Sequence, residues 1–153
     1  MAEVLDPATT SVEGLSESAP DSTAPAGLVF FHASEGKPLA TPWQVALIRS
    51  QLLAHAALPE GIVLDCACGS GIQLAAHASV LQRPALGVEL DPNRAQASAV
   101  NLNTIAMQRQ ETESEWMRSS RVVIGDGRDG EGIIEALCTS VFVPADPAFT
   151  VID

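Results

Sequence analysis

The chain has 153 residues, 46% of them hydrophobic, enough for one domain with a substantial core. Aromatic residues make up only 4%, so that core must be built from Ala, Val, Leu and Ile. The formal net charge is -11 and Lys37 is the single lysine; such a surface repels phosphate backbones and excludes an unaided nucleic-acid clamp.

The N-terminus has neither the basic nor the apolar stretch of a signal peptide. No apolar run approaches the ~20 residues of a membrane helix. A cytoplasmic protein with reduced thiols, not bound to membrane, is expected. The three cysteines form no disulfide framework. Cys66 and Cys68 lack the second ligand pair of a zinc site, and His77 reads as a satisfied helix histidine, so no metal is expected.

Residues 1–26 are rich in Ala, Ser, Thr and Pro, with five carboxylates and no base, and read as a disordered acidic tail. The domain proper is expected over 27–153. In "TPWQVALIRSQLLAHA" (41–56), Thr41 reads as the N-cap, Pro42 as the first helical residue and Gln44 as the capping-box partner. Val45, Ile48, Leu52 and Leu53 share one face and form the expected buried stripe. "GIVLD" (61–65) reads as a buried strand, and 71–82 as an amphipathic helix. "ALGVE" (85–89) is a second strand, followed by a helix over 91–107 with Asp91 capping and Pro92 at its first position. "RVVIG" (121–125) is a third strand, "DGEGIIEALCTS" a third crossover helix, and "AFTVID" (148–153) a fourth strand. Residues 108–120 are open between a helix extension and a surface loop. The alternation predicts βαβ units and a parallel sheet, an α/β fold with flanking helices.

Ligands of such sheets lie beyond the carboxyl ends of the strands. Three of these ends carry an acid: Asp65, Glu89 and Asp126. Carboxylates gathered at one edge need cationic or hydrogen-bond-donating groups opposite them. Gly69 and Gly71 follow Asp65, where glycine permits positive φ and close approach of a ligand to the backbone. The helix after them offers free N–H groups to an anion. Glu89, 20 residues beyond Gly69, is placed to accept two ribose hydroxyls, and Asp126 to accept from an exocyclic amine. Each element has a plainer reading alone: a glycine pair is a tight turn, Glu89 a solvated strand end, and Asp126 with Gly127 another turn. Their joint order is what carries the argument.

"VLDCACGSG", "ALGVELDPNRAQASAVNLN" and "RVVIGDGRD" together resemble the first three motifs of class I S-adenosylmethionine-dependent methyltransferases, over about residues 41–153. Ala67 stands where the family has the first of three alternating glycines. The resemblance implies a Rossmann-like sheet of order 3-2-1-4 and S-adenosyl-L-methionine as cofactor. Asp65 would then meet the methionine ammonium, the backbone of Cys66, Ala67, Gly69 and Gly71 would cradle the ligand, Glu89 would hold the ribose, and Asp126 with Gly127 would meet the adenine.

"ATPWQVA" resembles the Thr-Pro helix of RNA-guanine methyltransferases of the trimethylguanosine-synthase type, in which Thr41 would also reach the cofactor carboxylate; capping alone explains the residue equally. By the same resemblance the substrate is an RNA base amine and Asp153, at the end of the fourth strand, would help to hold it. The expectation is an incomplete C-terminal half, with the acceptor site beyond Asp153 and RNA not bound by this acidic part alone; a smaller complete domain is the alternative. A nicotinamide-dependent oxidoreductase and an inactive methyltransferase-like scaffold are the rival functions. The first lacks its third glycine, since Leu74 occupies that position.

Overall fold

Val63, Leu86, Val88, Val122 and Val123 are at most 3% exposed, which places a sheet buried on both faces at the centre of the molecule. The computed structural model describes residues 2–18, 24–34, 40–139 and 149–151. The strands are β1 (Glu3–Leu5), β2 (Leu15–Glu17), β3 (Phe31–Ala33), β4 (Ile62–Asp65), β5 (Ala85–Glu89), β6 (Arg121–Ile124) and β7 (Phe149–Val151). The helices are α1 (Trp43–Ala54), α2 (Ile72–Leu81), α3 (Pro92–Gln108), α4 (Glu115–Ser119) and α5 (Gly130–Thr139).

The main sheet has five strands in the order β1-β6-β5-β4-β7. The four expected strands keep their order 3-2-1-4 as β6-β5-β4-β7, but β1 extends it, so the order of the whole sheet and the expected all-parallel arrangement are corrected. β1 adds to the outer side of β6 in antiparallel register, Val4 opposite Val123, and makes the sheet mixed. Inside it, β5 pairs in parallel with β4 and β6, and β4 with β7. Successive strand residues face opposite sides. Val63 and Val122 join a core of small residues from α2 and α3, among them Ala75, Ala76, Ala95 and Ala99, with Trp116 and Met117 of α4. Ile62, Leu86, Val88 and Val123 pack instead with Ile133, Ala136 and Leu137 of α5. Alanine-rich helix faces let backbones approach closely, which is how a core with few aromatics is filled.

The expected disordered tail is also corrected. It contributes β1 to the main sheet, and β2 pairs with β3 in a second, two-stranded sheet. Gln96 of α3 fastens the connection by donating to the carbonyls of Ser11 (2.7 Å) and Glu13 (2.8 Å). Strand addition satisfies backbone groups at a sheet edge and requires no apolar periodicity, so composition did not reveal it.

α1 departs from expectation twice. Pro42, with ψ 142°, occupies the N-cap position, and its carbonyl accepts the first helical bond from Ala46. Thr41 therefore lies outside the helix, and its start has no side-chain cap bond. The buried face is Trp43, Ala46 and Ser50, whereas Val45, Ile48 and Leu52 are 38%, 49% and 69% exposed. Packing against α2 selects the small side chains, with Ser50 bonding His77 at 2.7 Å and Trp43 tilted against Phe30 at 6.0 Å. By contrast, Asp91 caps α3 as expected, accepting from the Asn93 and Arg94 N–H groups. Residues 108–120 resolve into a turn and α4, capped by Ser114. Among the described residues no helix is long and apolar enough to cross a membrane.

Candidate functional site at the carboxyl edge of the sheet

Because β4, β5 and β6 run parallel, Asp65, Glu89 and the loop holding Asp126 emerge at one edge of the sheet. The chain after β4 turns over the end of β5: Cys68 N–H donates to the Val88 carbonyl at 3.0 Å, and Asp65 Oδ1 accepts from Ala67 N–H at 3.0 Å. Glu89 joins the two turns. Its Oε2 accepts from Gly69 N–H and its Oε1 from Asp91 N–H, each at 3.0 Å. The loop after β6 then meets the loop after β4, since a Cβ built on Gly127 would lie 2.1 Å from the Cys66 carbonyl oxygen. Glycine is required there by contact between the two loops.

The glycines after Asp65 serve different ends. Both have positive φ, 53° at Gly69 and 74° at Gly71. A Cβ on Gly69 would meet nothing within 4 Å, so its surface is open to a ligand. A Cβ on Gly71 would stand 2.2 Å from Ser98 Oγ and 2.9 Å from Ser98 Cα, so this glycine exists for the packing of α2 on α3. Ala67 has no positive φ, which explains why a glycine is dispensable at that position. α2 begins immediately after Gly71, and its first bond runs from Ala75 N–H to the Gly71 carbonyl. The amides ahead of that bond form the positive end of the helix dipole beside the loop.

Asp126 carries a feature the sequence reading missed. Arg128 donates to both of its carboxylate oxygens, at 2.7 Å through a terminal nitrogen and at 3.0 and 3.2 Å through Nε. These bonds, with that from the Arg128 N–H, hold the Asp126 carboxyl down at about 2. The arginine side chain is 89% exposed and can swing away at little cost. "DGR" contained the pair, two residues apart, and an acid-to-arginine spacing of two across a turn is the signal that would have found it. Asp126 also lines a cavity of about 410 Å³ between Ala2, Gly125 and α5.

The thiols of the loop are not nucleophiles. Cys68 is buried, 3.3 Å from Ser98 Oγ, and burial pushes its thiol up to about 12. Burial, then the neighbouring Asp65, raises Cys66 as well, so neither thiol is poised as a thiolate at neutral pH. No group of three or more His, Cys, Asp or Glu that could hold a metal exists among the described residues.

His77 lies away from the loop, between α1 and α2, and is only half satisfied. Ser50 spends its one hydroxyl proton on the Ala46 carbonyl at 2.8 Å, so His77 Nδ1 must donate to Ser50 Oγ. Nε2 is then a buried acceptor without a partner. Burial, with Arg49 nearby, lowers this imidazole to about 4.

The edge thus assembles Asp65, Cys66, Ala67, Gly69, Gly71, Glu89, Asp126 and Gly127. Thr41 joins it through no hydrogen bond among the described residues, and Asp153 lies outside them. Carboxylates are acceptor-only groups, so this arrangement suits a ligand rich in N–H and O–H donors. No protein-family model matches the chain, and no curated protein or solved structure matches it.

Proposed function

We propose that the chain is the S-adenosylmethionine-binding domain of a methyltransferase with a Rossmann-like fold, acting in the cytoplasm on an RNA base amine. The observation that carries this reading is the gathering of three strand-end acids around a glycine loop, with Glu89 bridging it. The residues suit the ligand. Each Glu89 oxygen accepts one N–H and retains a second lone pair, the number needed by a vicinal diol. The open surface of Gly69 admits a ligand against the backbone, and the start of α2 favours a carboxylate. Asp65 is placed for an ammonium and Asp126 for an exocyclic amine, the latter in exchange for its exposed bond to Arg128.

When bound, the cofactor supplies an electrophilic methyl on a sulfonium. The chain's own part is then orientation: the acids and the loop fix the donor so that an acceptor amine meets the methyl in line. The acidic surface argues that RNA is captured with help from other basic groups, and Asp153 remains the proposed contact to the acceptor. An oxidoreductase reading gives no reason for Asp65, because a carboxylate beside a pyrophosphate would be repulsive, whereas Glu89 would suit a ribose in either reading.

The test is thermal unfolding with S-adenosylhomocysteine and, separately, with NAD. A concentration-dependent rise in Tm with S-adenosylhomocysteine alone is expected. A rise with NAD alone, or with neither, removes the methyltransferase reading.

A further inference from the structure

Asn101 is completely buried in the middle of α3, and its amide bonds backbone far away in sequence through both its oxygen and its nitrogen. Its Oδ1 accepts from Phe31 N–H at 2.8 Å, and its Nδ2 donates to the carbonyls of Phe31 at 2.9 Å and Ser70 at 2.7 Å. Ser70 lies between the two positive-φ glycines. Ser98, one turn earlier on the same face of α3, touches Cys68 and fills the space where Gly71 lacks a Cβ. On the other side, β3 continues from Phe30, which packs on Trp43 at the start of α1.

Glycine loses more conformational entropy on ordering than any other residue, so a loop with two of them needs an external hold to keep one shape. A buried amide is a costly way to fill a helix face unless every group is paired, and here each one is.

We infer that Asn101 is a positioning residue of the site: it clasps the Ser70 carbonyl and ties the glycine loop to β3, so that cofactor affinity depends on the N-terminal strand pair. The affinity clause rests on the proposed function; the tie itself does not. The loop is held in the shape that presents Gly69 to a ligand and to Glu89 only while Asn101 binds both segments. Disturbing β3 at Phe31 therefore loosens the loop at Ser70, to which it is tied through Asn101.

The test uses the full 153-residue chain and two variants. Asn101→Ala removes the clasp. Ser120→Ala removes a comparable buried side chain that bonds the Ala85 N–H at the opposite, amino edge of the sheet. Native-state hydrogen exchange should show the Gly69 and Gly71 amides of Asn101→Ala accelerated about tenfold beyond the strand amides of Val63 and Val88, the effect of about one lost buried hydrogen bond. In Ser120→Ala they should track the strands.

S-adenosylhomocysteine affinity, read by calorimetry, should fall about tenfold in Asn101→Ala and stay within about twofold in Ser120→Ala. Loop amides that change in step with the strands overturn the inference, as does unchanged affinity in Asn101→Ala. If the unmodified chain fails to bind, the proposed function falls and the exchange result still decides the tie. Asn101→Ser, which retains a hydroxyl, replaces Asn101→Ala if the latter does not fold, with the same readings.

Discussion

Replacing Gly71 by alanine should damage the fold, and replacing Gly69 by alanine should damage the site. At Gly69, φ is 53° and no atom lies within 4 Å of the added Cβ. The cost is the left-handed backbone alone, about 1–2 kcal/mol. At Gly71, φ is 74° and the Cβ meets Ser98 Oγ at 2.2 Å and Ser98 Cα at 2.9 Å. The side chain of Ser98 can turn, but its Cα belongs to a helix whose neighbours Ala97 and Ala99 are at most 1% exposed, so α3 must shift. Overpacking of that kind adds about 1–3 kcal/mol to the backbone term. The loss at Gly71, about 2–5 kcal/mol in all, is a large share of the ~5–15 kcal/mol that holds a domain together. Urea unfolding followed by circular dichroism measures it, provided the slope m is unchanged. Combining Gly71→Ala with Ser98→Gly should recover part of the loss as a favourable coupling of about 1 kcal/mol. S-adenosylhomocysteine affinity should fall in Gly69→Ala although its stability is the less affected. Gly71→Ala no more destabilising than Gly69→Ala, or no recovery on adding Ser98→Gly, would refute Ser98 as the wall against Gly71.

Three further outcomes follow from the same geometry. Glu89→Ala should weaken S-adenosylhomocysteine binding by about 1.5–3 kcal/mol, the range for bonds to a charged group, and calorimetry showing unchanged affinity would take Glu89 out of the site. His77 is held at about 4 in the fold, below its ordinary 6.5, so the folded state binds fewer protons than the unfolded chain; its contribution is present above pH 6.5 and is lost as pH falls toward 4. The stability difference between the unmodified chain and His77→Gln should therefore shrink across that window, by at most about 3 kcal/mol, and urea midpoints that fall in parallel for both proteins would contradict it. Arg128→Ala should return the Asp126 carboxyl from about 2 toward its ordinary value near 3.8 in an NMR titration, without weakening S-adenosylhomocysteine binding. A carboxyl that stays near 2 would mean that Arg128 is not what depresses it.

Local signals were legible where a single stretch of chain decides the outcome. Asp91 followed by Pro92 starts α3, because capping and a preset φ act within one turn. "IVLD", "ALGVE" and "RVVI" form strands because short apolar runs can be buried on both faces, and parallel pairing then brings their acids to one edge. Tertiary contacts decided the rest. α1 exposes Val45, Ile48 and Leu52 because its partner α2 offers alanines and His77, against which Ser50 and Ala46 fit more closely. β1 and β2 form because β6 at the sheet edge and β3 supply hydrogen-bond partners that no N-terminal composition announces, with Gln96 of α3 holding the connection between them. The difference between Gly69 and Gly71 lies in Ser98, 27 residues beyond Gly71 in the chain. Both glycines permit the same backbone, and only the position of α3 determines which one faces open space and which one faces a wall.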